Sequence, residues 1–236
     1  MQTQEITYRD GSVECIGYVA FSDDASDAPA VLLAHDWSGR NEFVCNKARV
    51  LAELGYVGFA MDIYGGAWLG SSPEENTAMM QPLMEDRAAL RNRLQAALTA
   101  AQGMDVVDSQ RIAAMGYCFG GLCVLDMARA GAPLRGVISN HGLLIPADGI
   151  ASAPIEAKVL VLHGQIDPMV PPEQVQAFED EMTEAGADWQ VHAYGNTYHA
   201  FTNPEANDVD FGTVYNADAD RRAWESTLSF LRECFD

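Results

Sequence analysis

Short apolar runs alternate along the chain with longer amphipathic segments. The apolar runs lie at residues 30–34, 56–61, 111–115, 136–139 and 158–162. Runs of this length and composition are typical of buried parallel strands. The segments that predict helices lie at residues 42–54, 83–101, 122–130, 171–185 and 221–235. This alternation predicts an α/β fold, with a doubly wound, mostly parallel sheet and helices on both faces.

The two ends of the predicted sheet have a different pattern. Residues 4–21 alternate weakly around the turn dipeptide Asp10-Gly11, which predicts an N-terminal antiparallel hairpin. Residues 189–194 alternate as a last strand, whereas residues 65–82 and 195–219 are expected to be irregular. We find no internal repeat and no convincing linker, so we expect one domain over residues 1–236.

The charge of the chain limits its partners. Fourteen basic and 34 acidic residues give a formal net charge of −20, which disfavours nucleic acid and anionic membranes as partners. We see neither a signal peptide nor a membrane-spanning stretch in the sequence. The five cysteines are scattered without metal-ligand spacing, so we expect a reduced, cytoplasmic protein with no metal.

Residues 116–121, Gly-Tyr-Cys-Phe-Gly-Gly, stand between a predicted strand and a predicted helix. A strand, a tight glycine turn and a helix form the context of a nucleophile elbow, here with Cys118 in the place of the usual serine. Gly116 and Gly120 would leave space around the strained turn. The N-terminus of the following helix would stabilise a thiolate. The alternative is a structural cysteine at an ordinary strand-to-helix turn.

Further polar residues follow the predicted strands at the same edge of the sheet. The chain order Cys118, Asp167, His199 is the order of nucleophile, acid and base in α/β-hydrolase triads. His141 is the main rival for the role of base, because it also follows a strand of the sheet. The other histidines are assigned to the core, the cleft rim or the surface: His35, His163 and His192.

Acyl transfer also requires hydrogen-bond donors for an oxyanion. The backbone N–H of Phe119, directly after the nucleophile, is one expected donor. The backbone N–H of Trp37, in the loop after an earlier strand, is the other.

The motifs at residues 116–121, 163–168 and 199–201 together resemble the dienelactone hydrolase family of α/β hydrolases. The resemblance implies hydrolysis of small-molecule lactones or activated esters through a Cys-His-Asp triad and a cysteinyl thioester, without a cofactor. It also implies an acidic residue that modulates the nucleophile. The family has glutamate there, and this chain has Asp36.

The resemblance is incomplete around the substrate. Family members that cleave dienelactones hold the substrate carboxylate with arginines, one of them shortly after the catalytic histidine, where this chain has Asn203. We therefore expect neutral esters or lactones, with possible side activity on neutral phosphotriesters. The expected pocket residues are Trp68, Arg87 and Phe201.

Two other function classes fit the same sequence. The first is a redox-responsive or ligand-binding protein in which Cys123, one helical turn onward, resolves an oxidised Cys118. The second is an acyltransferase that passes the acyl group to an acceptor other than water.

Overall fold

The computed structural model describes residues 1–147 and 154–236 and contains one eight-stranded sheet. Its strands are β1 (Gln2–Asp10), β2 (Val13–Phe21), β3 (Ala28–Ala34), β4 (Val57–Ala60), β5 (Val107–Tyr117), β6 (Gly136–Asn140), β7 (Lys158–Gly164) and β8 (Trp189–Tyr194). Their order is β1-β2-β4-β3-β5-β6-β7-β8. Strand β2 is antiparallel to β1 and to β4, and all other neighbours are parallel. The predicted mostly parallel sheet with an N-terminal hairpin is confirmed.

Helices cover both faces of this sheet. They are α1 (Glu42–Glu53), α2 (Pro73–Glu85), α3 (Arg87–Gln102), α4 (Phe119–Arg129), α5 (Pro172–Glu184) and α6 (Ala217–Phe235). Along β3, Leu32 packs in the apolar layer with α3 and α4, whereas Val31 and Leu33 pack in the layer with α1 and α6. Successive strand residues point to opposite faces, so a strand covered on both sides is apolar throughout.

Two segments that were expected to be irregular contain regular structure. Helix α2 begins within residues 65–82 and extends three residues beyond them, and it is capped by the Ser72 side chain, which accepts a hydrogen bond from the Glu75 N–H. Asn76 is its one fully buried residue, and its apolar residues Met79, Met80, Leu83 and Met84 pack only partly buried against the core. Residues 195–219 include a short antiparallel hairpin, β9 (Asn207–Asp208) and β10 (Thr213–Val214).

The sheet topology brings the predicted functional loops together. Ala34 at the end of β3 pairs with Gly116 near the end of β5, so the loop that carries Asp36 and Trp37 lies beside Cys118. Asp167 follows β7, and His199 follows β8. Within residues 1–147 and 154–236, no helix is both long and apolar enough to cross a membrane. In the same residues, no three His, Cys, Asp or Glu side chains group as a metal site.

Candidate active site

Cys118 lies at a sharp turn between β5 and α4. Its backbone is in the left-handed region, with φ of 54° and ψ of −117°. A Cβ atom on Gly116 would lie 1.9 Å from the Gly120 carbonyl oxygen, and one on Gly120 would lie 2.2 Å from that of Ala34. Only glycine fits at these two positions, as the elbow interpretation requires. The Cys118 side chain is half-buried and lines a cavity.

Asp167 and His199 form a buried pair. The Nδ1–H of His199 donates to Oδ2 of Asp167 at 2.7 Å, and the other carboxylate oxygen accepts from the Met169 N–H at 2.8 Å. Burial lowers the pKa of His199, but the adjacent Cys118 sulfur and the Asp167 carboxylate outweigh it and raise that pKa to about 10. The second ring nitrogen, Nε2, is buried without a hydrogen-bond partner of normal geometry, and it belongs to the ring that shares the cavity with Cys118.

His141, the rival candidate for the base, has different partners. Its Nδ1 accepts the backbone N–H of Cys118 at 3.2 Å, so the proton lies on Nε2, which donates to Oγ1 of Thr202 at 2.8 Å. Burial, and then the nearby His199, hold the pKa of His141 well below its usual value. Of these two histidines only His199 contacts a carboxylate, so only His199 has the orienting group that a general base uses.

The remaining histidines have ordinary surroundings. His35 is buried and its Nε2 accepts the Ile63 N–H at 3.2 Å. His163 is buried below the site, and burial lowers its pKa. His192 is half-buried, with Nδ1 at 3.2 Å from Oγ of Ser226.

Tyr64, which the sequence analysis did not select, contacts both residues that carry the expected oxyanion donors, Trp37 and Phe119. The Tyr64 hydroxyl donates to the Trp37 carbonyl oxygen at 2.9 Å, and its ring stacks on Phe119 with centroids 6.0 Å apart. Within the described part of the chain, neither the Trp37 N–H nor the Phe119 N–H donates a hydrogen bond. Both backbone donors are therefore available to a ligand.

Asp36 also lines the cavity, but its carboxylate is engaged by its own loop. Oδ1 accepts from the backbone N–H of Ser38 at 2.8 Å and from its hydroxyl at 2.5 Å. Oδ2 accepts from the Asn41 side-chain amide at 3.3 Å. The carboxylate thus holds the turn that carries Trp37, and its negative charge remains in the cavity wall.

The cavity has a volume of about 500 Å³ and a mostly apolar lining. Its larger apolar residues are Trp37, Phe43, Pro73, Met80, Phe119, Leu143, Met169 and Phe211. Its ionisable lining residues are Asp36, Tyr117, Cys118, His141, His199 and Asp208, so no lysine or arginine is among the described residues that line it. Asn203, the residue found where an arginine was sought, lines it as well.

The three expected pocket residues do not line this cavity, so that prediction is corrected. Trp68 packs edge-on against Tyr64, with centroids 5.7 Å apart. Phe201 is fully buried beneath the His141 ring, with centroids 5.3 Å apart. Arg87 binds Asp126 through two hydrogen bonds of 2.6 and 2.7 Å, and both side chains are buried.

Comparison with known proteins identifies the family. The family model described as the dienelactone hydrolase family matches residues 16–235. This chain belongs to the dienelactone hydrolase family. Membership confirms the resemblance seen in the sequence and makes the protein a hydrolase of the α/β fold.

Three similar proteins show how much of the chain the similarity covers. The chain is 41% identical over 152 residues to the uncharacterized protein K02A2.1 of Caenorhabditis elegans, covering 62% of this chain and 94% of that one. It is 25% identical to a putative carboxymethylenebutenolidase of Aquifex aeolicus, covering 97% of each. The crystal structure of P91, a dienelactone hydrolase-like promiscuous phosphotriesterase from metagenomic libraries, has 35% identity and a TM-score of 0.94 and covers 100% of this chain and 99% of its own.

Proposed function

We propose that this dienelactone hydrolase family member cleaves small neutral esters or lactones through a cysteinyl acyl intermediate. The observation that carries the proposal is the buried Asp167–His199 pair beside a cysteine at a strained elbow. A sulfur nucleophile, a histidine that moves protons and a carboxylate that orients it are the components of covalent acyl transfer.

The reaction would proceed in two halves. The Cys118 thiolate attacks the carbonyl carbon, and the negative charge that develops on the carbonyl oxygen is held by the N–H groups of Phe119 and Trp37. The C–O bond to the leaving group breaks, and protonated His199 gives its proton to the departing oxygen. Neutral His199 then takes a proton from water, the hydroxide attacks the thioester, and the acid leaves as the thiolate is restored.

The cavity favours neutral substrates. Asp36 and Asp208 line it and no arginine or lysine among the described residues does, so a substrate carboxylate would find no counter-ion there. Arg87, the one cation among the expected pocket residues, is already bound to Asp126.

The decisive experiment combines turnover with mass spectrometry. Cys118→Ala should abolish hydrolysis of 4-nitrophenyl acetate, and the wild-type protein quenched during turnover should carry one acetyl group on Cys118. Cys45→Ala, which changes a buried cysteine outside the cavity, is the matched control and should keep most of the activity. Near-normal turnover by Cys118→Ala would rule out the covalent mechanism.

The choice of base is tested with two histidine variants. His199→Asn should lower kcat about 1,000-fold or more, because it removes the group that moves protons. His141→Asn should cost far less, because Asn can still accept the Cys118 N–H. The reverse order of effects would assign the base to His141.

The redox alternative is less well supported by the surroundings of Cys123. This thiol is fully buried, and burial raises its pKa well above the ordinary value. A resolving cysteine has to be accessible and to form a thiolate. Transfer to an alcohol or amine instead of water remains a second outcome of the thioester, and product analysis with added alcohol measures it.

Phosphotriester hydrolysis is a second candidate activity, favoured by the similarity to the phosphotriesterase P91. The same thiolate and oxyanion donors could attack a neutral phosphorus centre. Multiple turnovers of paraoxon by the wild-type protein, lost in Cys118→Ala, would support it. A single stable phosphorylation of Cys118 would mean inhibition instead.

A further inference from the structure

The mouth of the cavity has an aromatic wall made by Trp37 and Phe211. Their rings are nearly parallel, with centroids 5.8 Å apart and an angle of 19° between planes. Both residues line the cavity that contains Cys118. Phe211 is nevertheless 50% exposed, although burial of its ring would be favourable. We call this pair the aromatic wall.

The backbone around Phe211 fixes the wall in place. Its N–H donates to Oδ1 of Asp208 at 2.8 Å, which closes the turn between β9 and β10. Gly212 follows with φ of +82°, and a Cβ there would lie 2.2 Å from a Pro168 ring carbon. The turn therefore packs closely against the segment after β7, which fixes the backbone of Phe211, and the ring itself stacks on Trp37.

The hairpin that carries the wall also holds the histidine of the proposed triad. The His199 N–H donates to the Gly212 carbonyl oxygen at 3.1 Å, and the Val214 N–H donates to the His199 carbonyl oxygen at 3.1 Å. Phe211 is thus the direct neighbour of Gly212, which is hydrogen-bonded to the backbone of His199. The position of the wall relative to the proposed base is set by the backbone.

Trp37 places the aromatic wall next to the proposed oxyanion site as well. The Trp37 N–H is one of the two donors proposed for the oxyanion, and its indole ring is half of the wall. A carbonyl group whose oxygen is held by that N–H would therefore lie next to the aromatic wall. Most of the remaining lining is apolar, which suits an uncharged planar group.

From this arrangement we propose that the aromatic wall binds an aromatic group of a neutral ester, and that Phe211 determines the preference for such substrates. The inference rests on the proposed ester hydrolase function and adds the substrate class to it. The aromatic group can belong to the acyl part or to the alcohol part of the ester, and the experiment separates the two.

The test uses two pairs of esters. Within each pair, the second ester has a larger or an additional aromatic group. Phenyl acetate and 2-naphthyl acetate extend the alcohol side, and 4-nitrophenyl acetate and 4-nitrophenyl phenylacetate extend the acyl side. Wild-type protein should prefer the larger member of at least one pair in kcat/KM. Phe211→Ala should reduce that preference by about 5- to 30-fold, mainly through KM, with Phe211→Leu in between.

Val209→Ala is the matched control, because Val209 is 60% exposed on the same turn and does not line the cavity. It should leave both preferences unchanged. The alkylation rate of Cys118 by iodoacetamide should be the same in Phe211→Ala and in the wild type, since only the ring is lost.

Two results would overturn the inference while leaving the hydrolase function intact. One is an unchanged preference in both ester pairs for Phe211→Ala. The other is an equal slowing of all four esters together with altered alkylation, which would show that Phe211 only holds the hairpin. Wild-type protein without Cys118-dependent turnover of any of the four esters would overturn the hydrolase function, and this inference with it.

Discussion

Three non-glycine residues around the cavity have backbone angles that are rare for side-chain-bearing residues. Cys118, His141 and Ala200 have φ values of 54°, 39° and 54°, and all three line the cavity. Each such residue costs about 1–3 kcal/mol and persists only where its surroundings hold it. Here the Cys118 N–H is held by both the Asn140 carbonyl oxygen at 3.0 Å and Nδ1 of His141 at 3.2 Å. The site is therefore shaped before any ligand binds.

The raised pKa of His199 predicts a pH dependence of stability. The folded-state pKa of about 10 exceeds the ordinary value of 6.5. A group of this kind stabilises the fold fully below its unfolded pKa, and the contribution is lost as pH rises through the folded pKa. The difference in unfolding free energy between wild type and His199→Gln, measured in urea at about pH 6, 8 and 10, should therefore shrink as pH rises. A difference that stays constant or grows would contradict the assigned environment.

Replacing Asp36 separates its charge from its hydrogen bonds. Asp36→Asn should increase the alkylation rate of Cys118 near neutral pH, because a negative charge in the same cavity as the sulfur disfavours the thiolate. Ser38→Ala is the control, because it removes the 2.5 Å hydrogen bond from the hydroxyl to the carboxylate and keeps the charge. Superimposable profiles of alkylation rate against pH for wild type and Asp36→Asn would mean that Asp36 stabilises its turn but does not influence Cys118.

At the scale of elements, much of the cavity wall comes from segments outside the parallel sheet. Helix α2 contributes Pro73 and Met80, and the β9–β10 hairpin contributes Asp208, Phe211 and Thr213. The elbow and the Asp167–His199 pair stand instead at the ends of buried strands. Substitutions in the walls can therefore change substrate preference without disturbing the reacting groups, as loops do on rigid scaffolds.

A buried ion network joins α3, α4 and α5. Asp126 accepts both hydrogen bonds from Arg87, and Arg129 reaches both Glu181 and the Leu144 carbonyl oxygen. Asp126→Ala should lower the free energy of unfolding in urea by about 3–5 kcal/mol, because it leaves a buried arginine unpaired. Arg221→Ala breaks an exposed pair with Glu225 and should cost far less. Equal effects of the two variants would contradict a buried network.

At the scale of the whole molecule, the net negative charge should disfavour anionic substrates. The net charge of −20 and the acidic cavity residues repel an anionic substrate, and salt screens that repulsion. Raising salt from about 0.01 to 0.5 M should increase kcat/KM for a carboxylated lactone several-fold and leave that for a neutral lactone within about twofold. A decrease for the carboxylated substrate would indicate that a cation holds its carboxylate.

The sequence predicted the strands and the residues at their ends, whose positions the sheet fixes, better than it predicted contacts between side chains. Apolar runs and turn glycines were enough to predict the sheet and the elbow around Cys118. The choice between His141 and His199 depends on contacts with Thr202 and Asp167, which no spacing reveals. Arg87 was misassigned because its partner Asp126 lies 39 residues away on another helix.

Phe211 and Met80 were missed for a different reason. Met80 lies on a helix whose apolar residues are only partly buried, and Phe211 lies in the turn between two strands of two residues each, which are too short to show hydrophobic alternation. Residues that form the wall of a cavity are only partly buried, so the hydrophobic pattern that predicts a core does not select them.

The order of the strands along the chain also matters while the protein is being made. Cys118 leaves the ribosome with β5 and α4, whereas Asp167 and His199 follow β7 and β8, and the hairpin that holds His199 comes later still. A nascent chain that ends after β6 has its thiol but neither of the groups beside it. Chains that are released early, or whose last third misfolds, therefore lack the base and the acid proposed for Cys118, and the proposed triad can assemble only after the β9–β10 hairpin has been made.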